Sequence, residues 1–123
     1  MKKDEVVIAV LETTTPGKKI EIRVDYDRGG MNYFQGVTMQ RGYWLSVTPF
    51  EQGEHSRTIA AFSGTTAFME PASRFNARRI AERAEQLKKN MKTHDLLQKT
   101  LAHVLQKNNL VLKETSHAQV AQG

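Results

Sequence analysis

The chain has no cysteine among its 123 residues. A disulfide-stapled fold, a cysteine-ligated zinc ribbon and a thiol nucleophile are excluded on that ground alone. Aromatic side chains make up only 7% and proline numbers three, so a core here must rest on aliphatic side chains. Long apolar runs are missing as well. The longest unbroken one is Val6 to Leu11, far short of the roughly 20 residues of a membrane span. It follows Met1-Lys2-Lys3, but Asp4-Glu5 intervenes and the run is too short for a signal-peptide core. The expectation is a soluble, cytoplasmic protein without a membrane partner.

What is present is an ordinary globular composition, 39% hydrophobic and 25% charged. The length fits a single domain, expected over residues 1–112. Residues 113–123 have one branched aliphatic side chain and no periodicity, which predicts a disordered tail.

Two periodicities divide the body. From Lys19 to Asp27, Ile20, Ile22, Val24 and Tyr26 alternate with Glu21, Arg23, Asp25 and Asp27. Strict period two is the pattern of a half-buried antiparallel strand. Val6 to Glu12, rich in β-branched residues, is expected to pair with it across Pro16-Gly17. Tyr33 to Gln40 and Tyr43 to Thr48 read as two strands of a hairpin turning at Arg41-Gly42, with Pro49 as a stop. Arg57 to Ser63 reads as a further strand.

After Ser63 the period becomes 3.6. Ser73 is a candidate N-cap, and Ala77, Ile80, Ala81, Ala84, Leu87 and Met91 share one arc of a helix about 120° wide. His94 to Lys107 repeats the pattern with Leu97, Leu101, Val104 and Leu105, Thr93 being its candidate cap. One bent helix from Arg74 to Lys107 is the alternative to two. Asn108-Asn109 is a stop signal, and Leu110-Val111-Leu112 a short strand or docked apolar end. The expected fold is therefore α+β: an antiparallel meander of four or five strands, then one long or two consecutive helices on one face.

Charge is distributed unevenly along this plan. Residues 1–73 carry eight basic and nine acidic side chains, a net −1; residues 74–113 carry ten basic and three acidic, a net +7. On a continuous helix Arg74, Arg78, Lys89 and Lys92 fall within about 60° of one another, away from the apolar stripe. Such a column suits a phosphate backbone or an acidic protein. The bland alternative is a solvated face, since Arg78 with Glu82 and Glu85 with Lys89 stand at i,i+4.

The stretch from Tyr33 to Thr48 adds Tyr33, Phe34, Tyr43 and Trp44. Trp44 and Phe34 share a strand face with small and hydroxylic residues, which suits bases stacking from a single strand. A cross-strand aromatic pair, or a homodimer interface, explains the same rings. Gly29-Gly30 suits a flexible turn more than an anion nest. Ser63-Gly64-Thr65-Thr66 lacks the lysine and spacing of a P-loop.

Nothing converges on chemistry. No two of His55, His94, His103 and His117 stand at i,i+3 or i,i+4, so no helix presents a two-histidine metal site. Asp25 and Asp27 are bordered by Arg23 and Arg28, and Glu54-His55-Ser56 is contiguous rather than convergent. The reading is a non-enzyme without metal or cofactor. Strands followed by a basic amphipathic helix are similar in outline to small single-strand-binding modules of the whirly or PUR type, a likeness of element order rather than of residue motif. Two functions are expected on these grounds. The first is binding of nucleic acid, favouring single strands, through Arg74, Arg78, Lys89, Lys92, Trp44 and Phe34. The second is an interaction or adaptor module, dimeric through the aromatic hairpin.

Overall fold

The strand that alternates most strictly lies inside the sheet. In the computed structural model, which describes residues 4–32, 37–52, 57–59 and 64–113, it is β2 (Lys18–Asp27). On one side it pairs antiparallel with β1 (Glu5–Glu12), and on the other with the long β5 (Gly42–Gln52). Between β2 and β5 the chain forms a separate two-stranded ribbon of β3 (Gly30–Asn32) and β4 (Val37–Met39). The far side of β5 is shared by β6 (Arg57–Ile59), opposite Phe50–Gln52, and β7 (Thr65–Pro71), opposite Gly42–Val47. The chain ends in helices α1 (Ala77–Lys89) and α2 (Asp95–Lys107). The architecture is α+β, an antiparallel meander followed by two helices.

Alternation turns directly into burial. Ile20, Ile22 and Val24 are fully buried on one face, opposite Pro49, Val47 and Leu45 of β5. Tyr26 faces Tyr43 in the same row, their rings 5.3 Å apart. Helix α1 lies against β1 and β2, and α2 against β5 and β7. Ile80, Ala84 and Leu87 of α1, Met91 of the turn, and Leu97, Leu101 and Val104 of α2 complete the core. Each large aliphatic side chain buried this way contributes about 1.5–3 kcal/mol.

The boundaries differ from the sequence expectations in physically readable ways. Arg41-Gly42 is no hairpin turn. β4 and β5 run in the same direction on either side of it, both pairing with the β2–β3 arm. Residues 33–36, between β3 and β4, lie outside the described residues. Pro49 does not stop β5, which continues to Gln52. It sits between the stretches paired to β7 and β6, so its missing N–H interrupts neither ladder. Thr65–Pro71 is a strand that its sequence conceals. Ala67, Phe68 and Met69 are consecutive and apolar, and the register shifts opposite Tyr43 and Trp44. Residues 60–63 of the expected fifth strand lie outside the described residues, as does the chain from 114 onward.

The helices are two. Asn76, not Ser73, caps α1, its Oδ1 accepting from Arg79 N–H at 3.0 Å. His94, not Thr93, caps α2, its Nδ1 accepting from Leu97 N–H at 3.3 Å. Ala77 and Ala81 of the expected stripe are exposed. At the other end Leu112 bridges Thr13, and Lys113 N–H donates to Glu12 C=O, binding the chain after α2 to β1.

Gly42 is required by two constraints at once. Its φ is 151°, and a Cβ there meets Glu70 O of β7 at 2.1 Å. Gly42→Ala is expected to destabilise the protein by more than about 1 kcal/mol in urea unfolding. An unchanged midpoint contradicts this account of the β5–β7 approach.

Candidate functional site

The outer face of α1 is mixed in sign. Arg78, Glu82, Glu85 and Lys89 lie within about 60° of one another around the axis, and all four are exposed. They border a shallow groove of about 590 Å³. Two cations therefore flank two carboxylates, and the column is neutral as a unit. Arg78 and Lys89 stand about 16 Å apart along the axis. The other two cations expected on this face are off the helix. Arg74 precedes the cap, and Lys92 lies in the turn between α1 and α2, at the rim of a small apolar cavity with Leu11, Met91 and Leu101.

Arg79 and Arg83 turn the other way. Both donate to the Glu70 carboxylate of β7, Arg79 at 2.9 Å, and Arg83 also reaches Gln86 Oε1 at 2.6 Å. The hydrogen bond from Arg83, reinforced by Arg79, holds the Glu70 carboxyl below its ordinary range. This fork fastens α1 to the sheet.

Trp44 sits on the sheet face away from the helices, opposite Asp25 and Phe68. Its ring meets Phe68 edge-on at 5.2 Å, and its indole N–H donates to Gln40 C=O at 2.8 Å. This is a cross-strand aromatic pair with its polar atom already engaged. Phe34 lies outside the described residues.

A different set of cations converges where β2 meets β3 and β4 meets β5. The positions of every pair in the β2–β5 ladder add to the same constant. So do those in the β3–β4 ribbon, from Lys18 with Glu51 through Asp27 with Gly42 to Asn32 with Val37. The two ladders are one hairpin in unbroken register. Its interruption sets Arg28 directly across from Arg41. Arg41 Nε donates to Arg28 C=O at 2.7 Å and Nη1 to Ser73 C=O at 3.3 Å. One guanidinium thus ties the hairpin to the segment leading into α1, beside Arg74. Two tyrosines fix that segment from the core side. Tyr26 Oη donates to Ala72 C=O at 3.1 Å, and Tyr43 Oη accepts from Asn76 N–H at 3.1 Å.

Arg28, Arg41, Arg74 and Arg78 are exposed, and none pairs with a carboxylate among the described residues. The adjacent Asp27 accepts from Gly29 N–H at 2.7 Å. The sequence reading named Arg74 and Arg78 as candidates but neither Arg28 nor Arg41. The available signal was two Arg-Gly steps, at Arg28-Gly29 and Arg41-Gly42, whose arginines become opposite only once the strand register is known.

On the sheet face away from the helices, where Glu21 and Ser46 are each buried to 1% exposure, Arg23 stands among three carboxylates, with Asp25 at 2.8 Å, Glu21 at 3.0 Å and Glu5 at 3.8 Å. Desolvation raises the Asp25 pKa in spite of Arg23. Among the described residues no group of three or more acidic or histidine side chains is arranged to hold a metal ion. No helix there is long and apolar enough to cross a membrane. Compared with protein families, with curated proteins and with solved structures, the chain finds no match.

The Glu70 fork has a signed pH dependence. Its pKa is lowered in the folded state, so its contribution is present above the ordinary glutamate pKa and fades as pH falls through the lowered one. Thermal melts between pH 6 and pH 2 are expected to show a smaller acid-side loss in Glu70→Gln than in the wild type. Parallel curves contradict the assignment.

Proposed function

We propose that this protein binds nucleic acid through the arginine cluster at the hairpin joint. One observation carries the reading. Arg28 and Arg41 stand opposite each other where the two ladders meet, like charges so placed cost stability, and among the described residues no carboxylate pairs with either. Arg74 adjoins Ser73, which Arg41 contacts, and Arg78 follows in the first turn of α1, both of them exposed. A polyanion repays that cost, because phosphates supply the missing counter-charge and release their own condensed ions. Arg41 suits the role. Its Nε and one Nη1 hydrogen are held by backbone carbonyls, which fixes the plane and leaves three N–H donors for phosphate oxygens.

The α1 column contributes less than its basic count suggests, because Glu82 and Glu85 stand between Arg78 and Lys89. Trp44 also offers less to a stacked base than an open ring does, being engaged by Phe68 and Gln40. The rival reading, an interaction module that dimerises, draws on β1, whose Val7 and Val10 are 46% and 44% exposed. Antiparallel pairing of two β1 strands about their centre, however, sets Glu5 against Glu12 of the second copy.

Binding of labelled oligonucleotides across a salt series tests the reading. Four phosphate contacts give a slope of log K on log salt of about −3 to −4. Arg28→Ala with Arg74→Ala is expected to remove about two units of that slope, whereas Lys89→Ala leaves it nearly unchanged. Absence of binding at low salt, or a larger loss in Lys89→Ala, rejects the arginine cluster as the site.

A further inference from the structure

We infer that the cavity between β1, the α1–α2 turn and α2 binds a small aliphatic carboxylate, its chain inside and its charge on Lys92. The cavity measures about 110 Å³, and it owes nothing to the nucleic-acid reading above. Gln98, Leu101, Ala102 and Leu105 stand at i, i+3, i+4 and i+7, so one stripe of α2 lines it. Leu11 of β1, Met91 of the turn and Leu112 after α2 complete the apolar walls. The space follows from the size of Ala102, a single methyl group between the isobutyl groups of Leu101 and Leu105. Ala102 and Lys92 are exposed, and Leu105 and Leu112 are half-buried against the core, so the cavity reaches the surface.

Charge selects the head group of the ligand. The lining side chains are apolar apart from Gln98 and Lys92. Gln98 is engaged in structure, its Nε2 donating to Met91 C=O at 2.7 Å. Lys92 pairs with no carboxylate among the described residues. Asp95, the acid nearest to it in sequence, is taken by Lys99 at 3.0 Å. A hydrocarbon space with one uncompensated cation at its edge complements an amphiphile carrying one negative charge. A cationic amphiphile meets repulsion from Lys92, and a nucleotide is too polar for walls of leucine and methionine. Volume sets the chain length. An apolar cavity of about 150 Å³ stays dry and takes up benzene, so this smaller one holds a chain of about four carbons.

The probe is pentanoate, a four-carbon chain on a carboxylate, titrated into the full chain and read by methyl chemical shifts. Saturable shifts are expected at Met91, Leu101 and Leu105, with Met69 of β7 unmoved. Pentan-1-ol is expected to bind at least threefold more weakly than pentanoate, in keeping with the modest strength of an exposed ion pair, and pentylamine more weakly still. Lys92→Gln is expected to bring pentanoate down to the affinity of the alcohol and to leave the alcohol unchanged. Ala102→Leu places a larger side chain at an exposed helix position and is expected to abolish the Met91 shift with every probe. Absence of saturable shifts with pentanoate, binding of pentylamine as tight as that of pentanoate, or a Met91 response that survives Ala102→Leu overturns the inference. If Ala102→Leu does not melt cooperatively, Lys92→Gln decides: an unchanged pentanoate affinity overturns the assignment, and its fall to that of the alcohol supports it.

Discussion

Everything in this molecule depends on the pairing of β2 with β5. That ladder buries Ile20, Ile22 and Val24 against Pro49, Val47 and Leu45, and it is the surface on which both helices rest. A slip of one residue would turn the Glu21, Arg23 and Asp25 face toward the helices. The register is therefore enforced by the core over ten residue pairs. The same register, carried past Gly42, sets Arg28 opposite Arg41 and launches the ribbon. Core and candidate site are consequences of one alignment.

The connection to α1 is held by the same end of the ladder. Tyr26 and Tyr43, a cross-strand pair, each use their hydroxyl on the segment from Ala72 to Asn76. Phe75 packs its ring on Tyr26 at 5.8 Å. Arg41 reaches that segment from the solvent side. Arg74 is positioned by contacts made on either side of it, and the patch has a rigid base even though its side chains are exposed. The Glu70 fork serves the same end by spending Arg79 and Arg83 on structure. It separates the cations that hold α1 in place from those left facing water.

Much of this was legible in the sequence, and the exceptions share a cause. The apolar face of β2, the larger residues of the α1 and α2 stripes and the order of strands before helices are local patterns, and they read correctly; Ala77 and Ala81, too small to seek the core, are exposed, and Glu21 on the other face of β2 is buried. The hairpin turn was misplaced because Arg41-Gly42 looks like a turn locally. Its role is set by Glu70 and Pro71 of β7, which are distant in sequence. β7 itself was hidden by three consecutive apolar residues at a register shift. For the candidate site, counting charge along the chain located the basic half but not the patch. Sequence distance separates Arg28, Arg41 and Arg74, and only the register and the Arg41 hydrogen bonds join them. The same counting overstated the α1 face, where Glu82 and Glu85 fall between the cations.

The central claim is a location, and amide chemical shifts during titration with a DNA duplex test it most directly. The account predicts that the changes gather at Arg28–Asn32, Val37–Gly42 and Ser73–Arg78, while the outer face of α1 from Glu82 to Asn90 and the whole of α2 stay near their free positions. Changes concentrated on that outer face, with the hairpin joint silent, would contradict it.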